Sequence, residues 1–178
     1  MKQVLFLTLF LGTLNVVLGQ NKEKTLTQAE LFSTQSGTLI EKRFISIGKV
    51  NGIEVQVIKY KDLNSGAEKS ALRFEYEYKS SYSSDTKVAV LDMDEIDGLI
   101  KSMKNIQENV FPSTRESYTE ITYHSRSGFE AGTYFSTSQA EWKTYFQLEK
   151  YDKNSLVFMS TEKFIELYGL VVLAKGKL

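Results

Sequence analysis

Cysteine is absent from the chain of 178 residues, and proline and histidine occur once each, as Pro112 and His124. Without cysteine the chain has no disulfide framework, no thiolate zinc site and no cysteine nucleophile. One histidine cannot build a multi-histidine metal site, and it disfavours nucleophilic triads. The composition therefore predicts neither a metal nor a cofactor.

An excess of either charge is missing as well, because 22 lysines and arginines balance 22 aspartates and glutamates. The balance is local too, with 11 basic and 12 acidic side chains in residues 41–110 and 8 of each in residues 111–178. Proteins that bind nucleic acids usually carry a basic excess, which supplies most of their non-specific affinity. The charge pattern therefore disfavours a nucleic-acid partner.

The N-terminal residues have the features of a secretory signal peptide. Met1 and Lys2 form a charged start, and an apolar run from Val4 ends in Val17-Leu18-Gly19, a sequence that suits a signal peptidase. The run is too short for a membrane-spanning helix, which needs about 20 predominantly apolar residues. We therefore expect residues 1–19 to be removed. The mature protein would lie in the periplasm or outside the cell, without a lipid anchor because it has no cysteine.

The remaining chain predicts strands more often than helices. In the polar segment 20–37, Thr27 and Glu30 have the spacing of a capping box and predict a short helix. From Thr38 apolar and polar residues alternate, and Asn51-Gly52 predicts a tight hairpin of type I′. Two amphipathic helices are predicted by apolar residues spaced three or four apart, over 92–109 and 160–175.

The order of these elements recurs along the chain. A shift of 68 residues matches Phe74 to Trp142 and Ile96 to Phe164, and upstream a shift of 76 matches Gly52 to Gly128. We therefore predict an α+β fold with two pseudo-repeated β-β-β-β-α units, over 38–110 and 111–178, packed as one globular domain. The alternative is a single open meander with two helices on one side.

Two resemblances follow from these patterns. The tandem β-β-β-β-α order resembles single-stranded nucleic-acid regulators of the Pur and Whirly kind, which implies single-stranded nucleic-acid binding. The stretches Ser125-Arg126-Ser127-Gly128-Phe129-Glu130-Ala131-Gly132 and Ser155-Leu156-Val157-Phe158-Met159 resemble uncharacterised small exported proteins of Bacteroidota. The second resemblance covers most of the mature chain and implies export but no catalytic residues.

Acidic residues offer the main candidates for chemistry. Glu75 and Glu77 point the same way from one strand and could form an acid–base pair, although Arg73 and Lys79 could equally neutralise them. The acidic stretch 92–98 and the stretch 62–66, which offers side-chain oxygens at alternate positions, both depart from the ligand spacing of a calcium loop. His124 could act as a base near Glu120 or Glu130, or be a structural histidine.

Tyrosines provide the candidate binding residues. Amphipathic tyrosine rings on polar faces or in loops suit contact with a protein or a sugar, and six are predicted there: Tyr60, Tyr82, Tyr118, Tyr134, Tyr145 and Tyr151. We therefore expect a non-enzymatic module that binds a protein or an envelope component through a sheet face or strand edge. The alternatives are a carboxylate-dependent glycan hydrolase and a single-stranded nucleic-acid binder.

Overall fold

The computed structural model describes residues 25–178, so the predicted signal peptide and its cleavage site lie outside the described residues. The described chain begins with helix α1, Gln28–Ser33. Thr27 and Glu30 form the predicted capping box: Thr27 Oγ1 accepts a hydrogen bond from Glu30 N at 3.1 Å, and the Glu30 carboxylate accepts one from Thr27 N at 2.9 Å.

The first unit is a four-stranded antiparallel sheet followed by a helix. Its strands, in spatial as well as chain order, are β1 Ile40–Val50, β2 Ile53–Asp62, β3 Glu68–Lys79 and β4 Ser84–Leu91. Asn51 and Gly52 join β1 to β2 with φ angles of 50° and 84°, as the predicted type I′ turn requires. Helix α2, Met93–Asn105, continues into a π-helical turn, Ile106–Val110.

The second unit repeats this arrangement. Its strands are β5 Thr119–His124, β6 Glu130–Ser136, β7 Glu141–Gln147 and β8 Leu156–Met159, again antiparallel and in chain order. Helix α3, Thr161–Lys175, follows after the capping residue Ser160. Both sheets carry a helix after their last strand, so the α+β fold class with two antiparallel four-stranded sheets is confirmed, and a single open meander is excluded.

The strand register corrects the predicted alignment of the two units. Phe74 lies opposite Ala89 in the first sheet, and Phe146 lies opposite Val157 in the second. Ala89 and Val157 each precede a helix-capping residue by three positions, so Phe74 corresponds to Phe146 and not to Trp142. The first unit is longer than the second, and the change of shift from 76 to 68 predicts that its extra residues lie in a single turn. The strand pairing instead divides them between the β2–β3 and β3–β4 hairpins.

One hydrophobic core joins the inner faces of both sheets to α2 and α3. Phe74 is fully buried and stacks on Phe129, with ring centroids 5.0 Å apart and an interplanar angle of 6°. Phe146 meets both rings edge-on, at 5.9 Å and 5.4 Å. Aromatic pairs of this geometry contribute about 0.5–1.5 kcal/mol beyond the burial of their area, so the core holds the two units together.

Helices α2 and α3 each also contact the sheet of the other unit. Leu170 on α3 packs so closely on Gly48 of β1 that a Cβ at Gly48 would lie 2.9 Å from Leu170 Cδ2. Tyr123 of β5 donates a hydrogen bond to the backbone oxygen of Glu95 in α2, at 2.9 Å. The units are therefore packed by helices that contact both sheets.

Two charged contacts fix the second unit against the first. Arg126, in the β5–β6 turn, binds Asp94 at 2.7 Å and Asp92 at 3.1 Å, and its backbone N–H donates to Glu95 Oε1 at 2.7 Å. Lys87 of β4 is almost fully buried and binds Asp152 in the β7–β8 connection at 2.6 Å. Together these contacts hold the second sheet against β4 and α2. Since α2 and α3 pack on the inner faces of the sheets, neither helix covers the outer face of the second sheet.

Within residues 25–178, no helix has the length and apolar character needed to cross a bilayer.

Candidate functional site

The outer face of the second sheet is built by strand alternation. Since side chains of a strand point alternately to its two faces, residues directly opposite each other in the register share a face. One row across the four strands consists of Thr122, Gly132, Tyr145 and Phe158. The residues next to this row along the strands, among them Ala131, Phe146 and Val157, are buried in the core. The row itself therefore lies on the outer face.

Aromatic side chains surround a concave part of this face. Tyr118 and Tyr134 have ring centroids 6.0 Å apart, and Phe158 meets Tyr134 at 6.3 Å and Tyr145 at 6.5 Å. The space between them encloses about 300 Å³. We call this feature the aromatic cleft, and its lining residues are Tyr118, Glu120, Glu130, Tyr134, Tyr145, Gln147, Leu156 and Phe158.

A glycine allows Tyr145 to form the floor of the aromatic cleft. The Tyr145 ring crosses β6 over Gly132, where an added Cβ would lie 2.7 Å from Tyr145 Cζ. Its hydroxyl reaches β5 and hydrogen bonds to Thr122 Oγ1 at 2.7 Å. Burial raises the pKa of Tyr145, and the nearby carboxylates of Glu130 and Glu120 add to the rise. The floor is therefore a neutral ring, fixed at both ends.

Two carboxylates line the aromatic cleft. Glu120 accepts a hydrogen bond from the Tyr118 hydroxyl, which raises the pKa of Tyr118 to about 12. Glu130 binds His124 Nδ1 at 3.1 Å. Four strand positions, about 13 Å of rise, separate the backbones of the two glutamates. The register therefore places one carboxylate toward each end of the Tyr145 ring.

Three of the predicted binding tyrosines come together in this cleft: Tyr118, Tyr134 and Tyr145. Tyr60 does not join them, and its predicted position on a polar face is wrong. Its side chain is only 4% exposed, because Ala29 of α1 packs over the outer face of β2. That burial also raises the pKa of Tyr60 to about 12.

The other two predicted tyrosines lie in separate loops. Tyr82, in the β3–β4 connection, is 99% exposed, and Tyr151, in the β7–β8 connection, has a φ of 66°. Lys150 Nζ lies 5.2 Å from the centre of the Tyr151 ring. Neither tyrosine lines the aromatic cleft.

The predicted carboxylate pair of the first sheet is neutralised locally. Arg73 binds Glu75 at 2.6 Å, and Lys79 binds Glu77 at 3.1 Å. These pairs support the interpretation that the two carboxylates are neutralised by basic neighbours. Within residues 25–178 no three histidine, aspartate or glutamate side chains are grouped to hold a metal ion.

Two contributors to the aromatic cleft were not predicted as site residues. Phe158 lies in a strand whose four residues are all apolar, so alternation does not indicate which side faces outward. Gly132 had a usable signal, because glycine inside a strand often marks the close approach of another group. Here that group is the ring of Tyr145.

Comparison of the chain with protein-family models, with curated proteins and with solved structures gave no match.

Proposed function

We propose that this protein is an exported, non-enzymatic module that binds a protein or an envelope component at the aromatic cleft. The observation that carries the proposal is the group of four aromatic rings on one open sheet face, formed by Tyr118, Tyr134, Tyr145 and Phe158. Tyrosine and phenylalanine are enriched in the cores of protein interfaces, where they contribute large contact area at low entropic cost.

Exposure at the rim supports binding to a large partner. Tyr118 is 60% exposed and Phe158 is 57% exposed. Large apolar rings that are grouped and left in water are typical of interaction sites, whereas single exposed apolar residues are ordinary. The floor residue Tyr145 is hydrogen bonded at its hydroxyl, so little conformational entropy remains to be lost on binding.

The alternatives have less support. The hydrolase hypothesis depended on Glu75 and Glu77, which are paired with basic neighbours away from the cleft. Single-stranded nucleic acid would bring phosphates close to Glu120 and Glu130, and like charges repel. Neither activity is therefore proposed for this face.

A capture experiment with matched variants tests the proposal. Phe158 and Phe44 are both exposed phenylalanines, on the outer faces of the second and the first sheet, with 57% and 52% exposure. Partners captured from a cell-envelope extract by the wild-type protein should be lost with Phe158→Ser and kept with Phe44→Ser. Equal capture by both variants would place binding elsewhere and contradict the proposal.

Export is tested separately, by the mass of the protein recovered outside the cytoplasm. The full chain is expressed in a bacterial host, and the expected product begins at Gln20. Retention of the intact chain in the cytoplasm would contradict export without affecting the proposed binding face.

A further inference from the structure

The carboxylates of the aromatic cleft have no lysine or arginine partner within the described part of the chain. No lysine or arginine of residues 25–178 forms an ion pair with Glu120 or Glu130. Their recorded polar contacts are the Tyr118 hydroxyl and His124 Nδ1. The hydroxyl carries no positive charge, and a histidine carries one only when it is protonated. Within residues 25–178, the charges of the two cleft carboxylates are therefore not balanced by an ion pair with a lysine or an arginine.

The first sheet provides the contrast within the same molecule. On its outer face Arg73 pairs with Glu75 and Lys79 pairs with Glu77. On the second sheet Lys143 lies opposite Tyr134, at the Glu120 end of the outer face, and its ammonium group is paired with Glu141. Acidic side chains on the strands of this protein are thus usually neutralised by a neighbour. Glu120 and Glu130 depart from that pattern, and they do so beside the exposed rings of the aromatic cleft.

Aromatic rings and carboxylates together favour an organic cation. The face of a tyrosine ring is the negative end of its quadrupole, and a cation within about 6 Å of the ring centre is attracted to it. In the aromatic cleft the Tyr145 ring forms the floor, while Tyr134 and Phe158 stand at steep angles to each other, 82° apart. Carboxylates at both ends of this floor add direct electrostatic attraction.

We propose that the aromatic cleft binds the guanidinium group of an arginine side chain presented by a protein partner, with Tyr145 beneath the planar group and Glu120 and Glu130 beside it. The inference rests on the proposed binding function and names the chemistry of its ligand. Guanidinium is planar, stacks on aromatic faces and forms paired hydrogen bonds with carboxylates, whereas an ammonium is a compact and more strongly hydrated charge.

The open shape of the cleft favours a polypeptide as the source of this cation. Sites for free small molecules usually bury about 70–90% of the ligand. Here the rim residues Tyr118 and Phe158 are more than half exposed, so a small free cation would remain largely in water. A side chain that enters from a docked polypeptide is held in place by the contacts of its neighbours, and arginine is enriched at such interfaces.

The test is an NMR titration of the protein with short peptides. The probe is acetyl-Gly-Gly-Arg-Gly-Gly-amide, and the matched probes carry citrulline or lysine in place of arginine. Citrulline keeps the shape of the side chain but removes its charge. We expect the arginine peptide to shift the Tyr118, Tyr134 and Tyr145 ring resonances and to bind about tenfold or more tightly than the citrulline peptide, a ratio that corresponds to ~1.4 kcal/mol. The lysine peptide should fall between them.

Charge variants provide the controls. Glu120→Gln should lower the affinity for the arginine peptide about fivefold to tenfold, as expected when a cation loses one close carboxylate. Glu77→Gln removes an equivalent exposed carboxylate from the first sheet and should leave the affinity unchanged. Equal effects of the two variants would indicate general attraction to a negative surface and would overturn the inference.

Other outcomes separate this inference from the proposed function. Equal binding of arginine and citrulline peptides, or tighter binding of choline or spermidine than of the arginine peptide, would overturn the arginine inference while the cleft remained a binding site. Failure of every probe, together with a capture that depends on Phe158, would likewise overturn only the ligand chemistry. Failure of every probe together with capture that is indifferent to Phe158 would overturn both.

Discussion

Replacing Gly132 with alanine should disturb the aromatic cleft without unfolding the protein. The new Cβ would lie 2.7 Å from Tyr145 Cζ and 2.8 Å from its hydroxyl oxygen. Ordinary carbon contacts are about 3.5–4.0 Å, so the end of the ring must move by roughly 1 Å. The ring is the far end of a flexible side chain on an open face, and we expect it to swing outward.

The expected change in stability is small because two effects oppose each other. Moving the ring breaks the hydrogen bond between the Tyr145 hydroxyl and Thr122, worth about 1 kcal/mol net. Alanine also reduces the conformational freedom of the unfolded chain, which stabilises a protein by about 0.4–1 kcal/mol where the backbone accepts it. Gly132 has no positive φ angle. The net change in unfolding free energy should therefore stay within about 1 kcal/mol, or about 4 °C in Tm.

Thermal unfolding and binding measured on the same variant check this reasoning. We expect Gly132→Ala to keep a near-wild-type Tm, to shift the Tyr145 ring resonances, and to weaken cleft-dependent binding at least about tenfold, since a displacement of 1 Å is enough to disrupt a positioned site. Gly169→Ala is the matched control, because no atom lies within 4 Å of its added Cβ. A Tm lowered by more than about 10 °C, or Tyr145 resonances that do not move, would contradict an outward swing of the Tyr145 ring.

Three further predictions concern the fold that supports the cleft. Phe74→Ala removes a fully buried ring from the core shared by both units, so the unfolding free energy in urea should fall by about 3–5 kcal/mol in one transition, and two separate transitions would contradict a shared core. Asp152→Asn should destabilise the protein by about 1.5–3 kcal/mol at neutral pH. Because Lys87 lowers the pKa of Asp152, the difference in unfolding free energy between wild type and variant should persist above about pH 4 and close as the pH falls further. A difference that stays the same in acid would be inconsistent with the pairing. Gly169→Ala, in the middle of α3, should raise the unfolding free energy by about 0.5–1 kcal/mol, as measured in urea, and a loss of stability would show that the helix face is covered.

Local sequence patterns predicted the elements of the fold well, because the signals are short-range. The Asn51-Gly52 turn needs only two residues with positive φ, and both have it. The capping pair at Thr27 and Glu30 is equally local. The alignment of Phe74 with Trp142 was wrong since hydrophobic pattern alone does not show how extra residues are divided between hairpins, which only strand pairing reveals.

The candidate site could be predicted only in part, for a similar reason. Tyr134 and Tyr145 alternate with core residues on adjacent strands, so their outward direction follows from the sequence. The burial of Tyr60 depends on where α1 packs, which is a tertiary contact without a local signal. Phe158 belongs to a wholly apolar strand, and its direction follows from the register with β7.

Binding at the aromatic cleft is tested most directly by site-specific photocross-linking to the partner. A benzophenone amino acid is placed at position 158 in the aromatic cleft and, in a second protein, at position 44 on the outer face of the first sheet. We expect the probe at 158 to form a discrete cross-linked product, whose partner peptide contains an arginine next to the attachment point. The probe at 44 should form no such product. Cross-linking from position 44 alone would contradict the assignment of the second sheet as the binding face.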